Sequence, residues 1–489
     1  MTATRSVCPV CLRPLDATLI ERDGATYLIK TCPAHGRFTV PVWRGRLDRA
    51  RWCAGKSEGE VEGEGEGKAD TAAAASGACA CAPGAAGCDV ARCAAHQSGT
   101  CCALLEVTHR CNLRCTYCFA DGGSGPADPT LAELQDDARG ILRASWSGAP
   151  LIQLSGGEPT LRNDLPAFVA FLKEAGFPYV QLNTNGLRLS KDPAYARALY
   201  EAGLSFVFLQ FDGLTDAVYE TLRGRPLLRE KRAAIDVCGE CGLGVTLVPT
   251  VVRGVNDRAL GELARFGASL SPAVRGVHYQ PVTYLGRYPA LADERYTLDE
   301  LVADLCAQLD MDARRLLPSR CDHPLCGFHG SFLVQADGAL LPLSDAAAQA
   351  AAACRTTAAQ NRAYVARHWL RAAEPPCCRP QSTSPAPQAG AAATVKAPHG
   401  PAPVQASRLP KAAVRRAAPP RPVVQNAAPM EMDAFLARAK THAFTLSGMA
   451  FQDAVNLDAA RLRRCSLHVW HEGRLLPFCA RYLTPVAKP

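Results

Sequence analysis

Three cysteines, Cys111, Cys115 and Cys118, stand at C-x3-C-x2-C spacing and are followed at once by Phe119. A [4Fe-4S] cluster takes four thiolates, so three on one short loop leave one iron without a protein ligand. An open coordination position is what separates a catalytic metal site from a structural one. The cysteines taken alone also allow a structural zinc knuckle. What distinguishes the two is the rest of the chain, which must supply either a pocket or merely a fold.

At 489 residues the chain exceeds one ordinary domain and has room for a large core with appendages. Its formal charge of +8 is modest and no compact Lys/Arg block occurs, so nucleic acid is not an expected partner. A mildly basic surface would suit anionic lipid headgroups. The first residues carry a CxxC pair instead of an apolar signal segment, and no apolar run reaches the roughly 20 residues needed to span a bilayer. The expected location is cytoplasmic, at most peripheral at the inner face of the membrane. In that reducing compartment the 23 cysteines point to metals and not to disulfides.

In chain order, residues 1–54 hold Cys8, Cys11, Cys32 and His35 in two knuckles about twenty residues apart. That spacing predicts a zinc-ribbon or rubredoxin-like site for one Zn or Fe ion, with Cys53 or a later cysteine as the alternative to His35. Residues 55–78, alternating Gly and Glu before an Ala run, read as a disordered linker. Residues 79–103 carry Cys79, Cys81, Cys88, Cys93, Cys101 and Cys102, and the favoured ligands of an auxiliary Fe-S cluster are Cys81, Cys88, Cys93 and Cys101. From 104 to 300 strand and helix patterns alternate six times, with every polar loop at the C-terminal end of its strand. The expected fold is α/β, a partial (βα)6 TIM-like barrel with Cys-rich metal-binding extensions at both ends.

The cysteine loop with its trailing aromatic, and Gly156-Gly157-Glu158-Pro159 one strand later, resemble the signature of the radical S-adenosylmethionine (SAM) superfamily. The resemblance implies that Cys111, Cys115 and Cys118 hold a [4Fe-4S] cluster whose open iron chelates SAM. It also implies that Phe119, Gly156, Gly157 and Glu158 position SAM, with Glu158 accepting from its amino group. A glycine pair lets backbone approach a ligand closely. Asn183, Asn185, Gln210 and Asp212 are candidates for ribose, carboxylate or substrate contacts, and turn capping is the alternative for each.

A narrower resemblance rests on Gln181-Leu182-Asn183-Thr184-Asn185-Gly186, Leu209-Gln210-Phe211-Asp212-Gly213, the stretch from Val248 to Asp257, and Ser447-Gly448-Met449-Ala450-Phe451-Gln452-Asp453. These are similar to the subgroup of archaeal tetraether lipid synthases and their bacterial relatives, over residues 1–50, 93–345 and 430–485. That implies hydrogen abstraction from a lipid tail, carbon–carbon joining of two tails, one or two auxiliary [4Fe-4S] clusters, and an electron donor such as ferredoxin or flavodoxin. The chain departs from the pattern in its loosely spaced cysteines from Cys79 to Cys93 and in an Ala/Pro-rich linker at 346–429, within which Tyr364 to Ala372 read as a short helix. That linker separates 301–345, with Cys321 and Cys326, from 430–489, with Cys465 and Cys479. A long flexible insertion adds only about 0.6 kcal/mol of closure cost per doubling of length, so these four are expected to meet at a second auxiliary cluster. Cys354, Cys377 and Cys378 read as free thiols, and Cys238, Cys241 and Cys306 as core. Two other classes remain open: radical modification of a peptide or small molecule, and a non-catalytic electron-transfer or metal-binding protein.

Overall fold

The structure is a computed structural model that describes residues 1–54, 96–123, 125, 127–289, 295–319, 321–343, 358–371 and 431–486. The linker expected at 55–78, the ligands Cys81, Cys88 and Cys93, and the thiols Cys79, Cys354, Cys377 and Cys378 lie outside the described residues.

Four strands, β1 (Thr2–Val7), β2 (Pro14–Arg22), β3 (Ala25–Cys32) and β4 (Gly36–Trp43), form an antiparallel N-terminal sheet in sequence order. Asp23 and Gly24 both take positive φ, 52° and 75°, so they make the two-residue turn that matches the twist of β2 and β3. The connections β1–β2 and β3–β4 then carry the two knuckles to the same end of the sheet.

The main sheet contains β5 (Cys102–Thr108), β6 (Leu151–Gly156), β7 (Val180–Thr184), β8 (Phe206–Gln210), β9 (Gly244–Val248), β10 (Thr250–Val251), β11 (Val274–Pro281), β12 (Leu317–Pro318), β13 (Gly327–Val334), β14 (Leu340–Pro342), β15 (Ala443–Met449), β16 (Leu467–His471) and β17 (Arg474–Pro477). Its order is β12-β13-β15-β11-β9-β8-β7-β6-β5-β16-β17. The six expected strands β5, β6, β7, β8, β9 and β11 run parallel side by side. They are apolar on both faces, as parallel strands covered by crossover helices must be. On β8, Val207 and Leu209 join the core beneath the helices, while Phe206 and Phe208 turn to the inner face.

The last part of the chain is barrel wall and not only an appendage. β15 pairs parallel with β11, placing Gly276 opposite Thr445, and β16 pairs parallel with β5, placing Leu467 opposite Cys102. The C-terminal segment therefore covers both edges of the six-stranded sheet, and edges left open would present unpaired backbone. Inside the span read as linker, a helix runs from Ala358 to Trp369, starting six residues before the short helix expected there. Its Trp369 packs against Phe206 and Phe208 with ring centroids 5.5 and 4.7 Å apart.

Candidate active site and metal centres

The cysteine loop leaves the C-terminal end of β5 and is clamped by its neighbours. Gly157 and Glu158 donate their backbone N–H groups to the carbonyls of Thr108 and Arg110, both at 2.7 Å. A Cβ on Gly157 would stand 2.1 Å from the Arg110 oxygen, and Gly156 has φ of +116°. The glycine pair thus serves the approach of β6 to the cysteine loop, where the sequence suggested approach to a ligand. Asn185 donates from Nδ2 to Asn112 Oδ1 at 2.7 Å, and Arg287 donates from Nε to the Cys115 carbonyl at 3.0 Å. Phe119 packs against Phe478 and Tyr482 of the C-terminal segment. Burial pushes the Cys111 thiol up to about 11, with the Glu158 charge adding to it, and burial raises Cys118 as well.

Glu158 is buried, and its carboxylate is held in place by four donors. Oε1 accepts from Thr160 N, Thr160 Oγ1 and Thr184 Oγ1, and Oε2 accepts from Asn185 N at 2.7 Å. A carboxylate oxygen can accept at least two hydrogen bonds, so Oε2 retains acceptor capacity, and Glu158 lines the barrel cavity. Asn183 accepts from Gln181 Nε2. Gln210 accepts from Lys231 Nζ at 3.2 Å, and Lys231 also donates to the Asn185 carbonyl at 2.6 Å. Burial lowers Lys231 to about 8. Asp212 forms a two-pronged pair with Arg223 at 2.6 and 2.7 Å, the side chains 0% and 3% exposed, and Arg223 donates from Nη1 to the Tyr117 carbonyl of the cysteine loop at 3.4 Å. Asp212 therefore acts on the loop through Arg223, where the sequence suggested a ligand contact.

Arg223, Lys231 and Arg287 were not foreseen. For Lys231 a signal existed, because it shares a buried stripe at i, i+3, i+4 and i+7 with Ala234, Ile235 and Cys238. A lysine on such a stripe needs acceptors inside.

A cavity of about 360 Å³ runs along the inner face of the barrel. At one end it is lined by Cys111, Cys115, Cys118 and Gly156 to Glu158, and it also reaches Cys101 and Cys321. Cys101 precedes β5 and the loop follows it, so the two thiol groups are separated by a seven-residue strand, roughly 20 Å. Phe208, Val248, Phe328, Met449 and Trp369 line the walls between.

The N-terminal knuckle closes on a single point. The ligand atoms of Cys8, Cys11, Cys32 and His35 all lie within 4.8 Å of one another, with His35 Nδ1 3.4 Å from both Cys8 Sγ and Cys32 Sγ. Four such donors suit one tetrahedral ion. The fourth place falls to His35, and Cys53 sits instead in the helix Arg49–Cys53. Among the described residues this is the one group of three or more candidate ligands so tightly gathered. A cubane spreads its cysteines over different iron corners, so its ligands need no such convergence. Elsewhere Cys321 hydrogen-bonds Cys101, bringing together one cysteine from each of the two expected auxiliary sets. Cys465 and Cys479 feel each other and Cys326 electrostatically. Cys238, Cys241 and Cys306 are buried in the helical core.

Comparison with known proteins agrees with this geometry. The radical SAM superfamily model matches residues 105–267, and the HMPTM N-terminal zinc ribbon domain matches residues 1–44. The 7,8-dihydro-6-hydroxymethylpterin dimethyltransferase of Methanocaldococcus jannaschii is 33% identical over 370 residues, 70% of this chain and 70% of that protein. The chain belongs to the radical SAM superfamily. A probable GTP 3',8-cyclase of Archaeoglobus fulgidus is 36% identical over 169 residues, 34% of this chain and 54% of the cyclase. The solved structure of Streptococcus suis SuiB bound to S-adenosylmethionine aligns at TM-score 0.36 and 16% identity, covering 43% of this chain and 48% of that one. As a radical SAM enzyme the protein uses a [4Fe-4S] cluster and SAM, and its N-terminal ribbon fits a metal ion.

Proposed function

We propose that this radical SAM enzyme takes hydrogen from an unactivated carbon of a lipid tail and joins two such carbons into one chain. The observation that carries the reading is the cavity, which leads from the cysteine loop along apolar walls towards Cys101 and Cys321. Its volume of about 360 Å³ lies in the range of ligand cavities, roughly 300–1,000 Å³. A tail of about 16 methylenes leaves the bilayer at a cost of about 0.8 kcal/mol each, and an apolar channel is what offsets that loss. Among the described residues no helix is long and apolar enough to cross a membrane.

When bound, the cluster and SAM supply a 5'-deoxyadenosyl radical, with the electron from a donor such as ferredoxin or flavodoxin. The chain's own part is positional. Cys111, Cys115 and Cys118 would hold the cluster, and the loop's backbone is fixed by Gly157, Asn185 and Arg287. Glu158 would accept from the ammonium of SAM through Oε2, and the apolar walls would keep water from the reacting carbon. Cys101 with Cys321, and Cys326 with Cys465 and Cys479, would serve auxiliary clusters.

A second reading is methylation of a pterin, the activity named for the Methanocaldococcus jannaschii relative. Its support is that identity, and at the cavity His278, His329 and Tyr364 supply polar groups a heterocycle would use. The test is anaerobic incubation of reconstituted protein with SAM, a reductant and a diether or diester phospholipid, and in parallel with 7,8-dihydro-6-hydroxymethylpterin. Mass spectrometry of a tail-coupled lipid, with two 5'-deoxyadenosines per new bond, is the expected result. Methylated pterin without coupled lipid would replace the first reading by the second.

A further inference from the structure

Two buried arginines, Arg223 and Arg461, stand beside cysteines of this chain, and they differ in how their charge is balanced. Arg223, at Cys115, is paired bidentately with Asp212. Arg461 is as deeply buried, in the helix Ala459–Arg463, and donates from Nη2 to the Ala450 carbonyl at 2.8 Å and to Cys326 Sγ at 3.6 Å. Its Nε has no hydrogen-bond partner. The carboxylate whose charge it feels is Asp458, which caps the helix through Ala460 N and accepts from Thr4. Asp453 near Cys479 is already paired with Arg295, and Asp322 lies towards Cys465, Cys101 and Cys321. A buried cation without a close anion costs several kcal/mol. Cys326 Sγ is the sulfur the guanidinium reaches, and Cys479 lies close by, its Sγ accepting from Gln452 N at 3.2 Å.

We propose that Arg461 is a positioning residue that raises the reduction potential of a cluster held by Cys326, Cys465 and Cys479. The inference rests on these three cysteines being cluster ligands, as in the function proposed above. Adding an electron from an external reductant makes a cluster one unit more negative, and a fixed positive charge with a hydrogen bond to a ligating sulfur favours that form. At the radical centre the arginine's charge is cancelled by Asp212, and the same assistance is withheld.

The experiment is an anaerobic redox titration by electron paramagnetic resonance of the reconstituted full chain carrying Cys111→Ala, Cys115→Ala and Cys118→Ala, which leaves the other centres in view. Adding Arg461→Gln is expected to lower one midpoint so that the reduced-to-oxidised ratio at a given potential falls about tenfold, 59 mV for a one-electron couple. Arg461→Lys should keep most of the potential. Asp458→Asn, which retains a capping oxygen, should move the same component upwards, and this variant decides the matter alone where Arg461→Gln yields no folded protein. Midpoints unmoved by Arg461→Gln or, in its absence, by Asp458→Asn would overturn the inference, as would an equal fall in Arg461→Lys. Iron and sulfide per chain in Cys326→Ala/Cys479→Ala keep the two failures apart. If they do not fall, the ligand reading fails and takes the inference with it. If they fall while no midpoint moves with Arg461, only the inference fails.

Discussion

The N-terminal knuckle and the cysteine loop are built from the same residue type and solve opposite problems. In the knuckle four donor atoms from two turns converge within 4.8 Å, and an ion there would have its coordination filled. In the loop three cysteines from eight residues open onto a cavity, beside a carboxylate that keeps acceptor capacity. Burial raises the Cys8 thiol of the knuckle as it raises Cys111 and Cys118 of the loop, and the contrast lies at Cys32. Burial pushes Cys32 up, but the His35 ring, the Ala34 backbone N–H and Cys8 outweigh it and bring the thiol down to about 6. Cys111 is held up at about 11 by its burial. The knuckle's four donors already converge, whereas burial holds the Cys111 and Cys118 thiols up.

The largest effect is expected at the loop. Cys115→Ala should reduce 5'-deoxyadenosine formation from SAM to the level seen without enzyme, while the metal content of the knuckle stays at one ion per chain. Chromatography of the nucleoside and elemental analysis of the same preparation check both halves. Nucleoside production that survived would show that the loop is not the open site.

The reciprocal change is Cys32→Ala. A structural zinc site contributes about 10 kcal/mol or more in small domains, so loss of one ligand should cost about 5 kcal/mol in chemical denaturation and empty the knuckle. The folded fraction should still cleave SAM. A parallel loss of cleavage would mean that the knuckle takes part in the chemistry and that the contrast is one of degree.

Next in size is Asp212→Ala, which leaves the Arg223 guanidinium buried without its partner beside Cys115. Breaking a buried pair from one side costs about 3–5 kcal/mol. Urea unfolding should show that loss, and cluster incorporation at the loop should drop with the knuckle's ion retained. A change below about 1 kcal/mol, the range of exposed pairs, would remove Arg223 from the account of the loop.

How much of this was legible in the sequence follows from the range of each signal. Cys111, Cys115, Cys118, the Gly156–Gly157–Glu158 turn and the six strands are local patterns, and the structure brings the loop and turn together at the ends of β5 and β6. The knuckle was legible for the same reason. The roles of Asp212 and Gln210 were not, because Arg223 and Lys231 reach them from later helices. The pairing of β16 with β5 joins residues more than 360 positions apart, and no periodicity announces it. Cys321 meeting Cys101 is a product of that topology, as is the placement of Trp369 against β8, although the helix that carries it was legible from Tyr364 onwards.

The smallest effect tests whether the two sites communicate through the fold. Ser6, on β1 beside the knuckle, donates from Oγ to the Leu457 carbonyl at 2.6 Å and accepts from Lys30 Nζ at 3.0 Å. Lys30 also reaches the Ala454 carbonyl at 2.8 Å. These bonds tie the ribbon to the stretch that links β15 to β16 and leads to Cys465. Ser6→Ala removes one buried donor and leaves Lys30 and Leu457 each short of a partner, which should cost about 1–2 kcal/mol. Metal content at both sites and the rate of SAM cleavage should stay as they were, since neither the knuckle's four donors nor the loop's clamps touch Ser6. If cleavage slows in step with stability, the ribbon does more than close on its own ion, and the boundary drawn between a structural and a catalytic set of cysteines has to move to include the contact at Leu457.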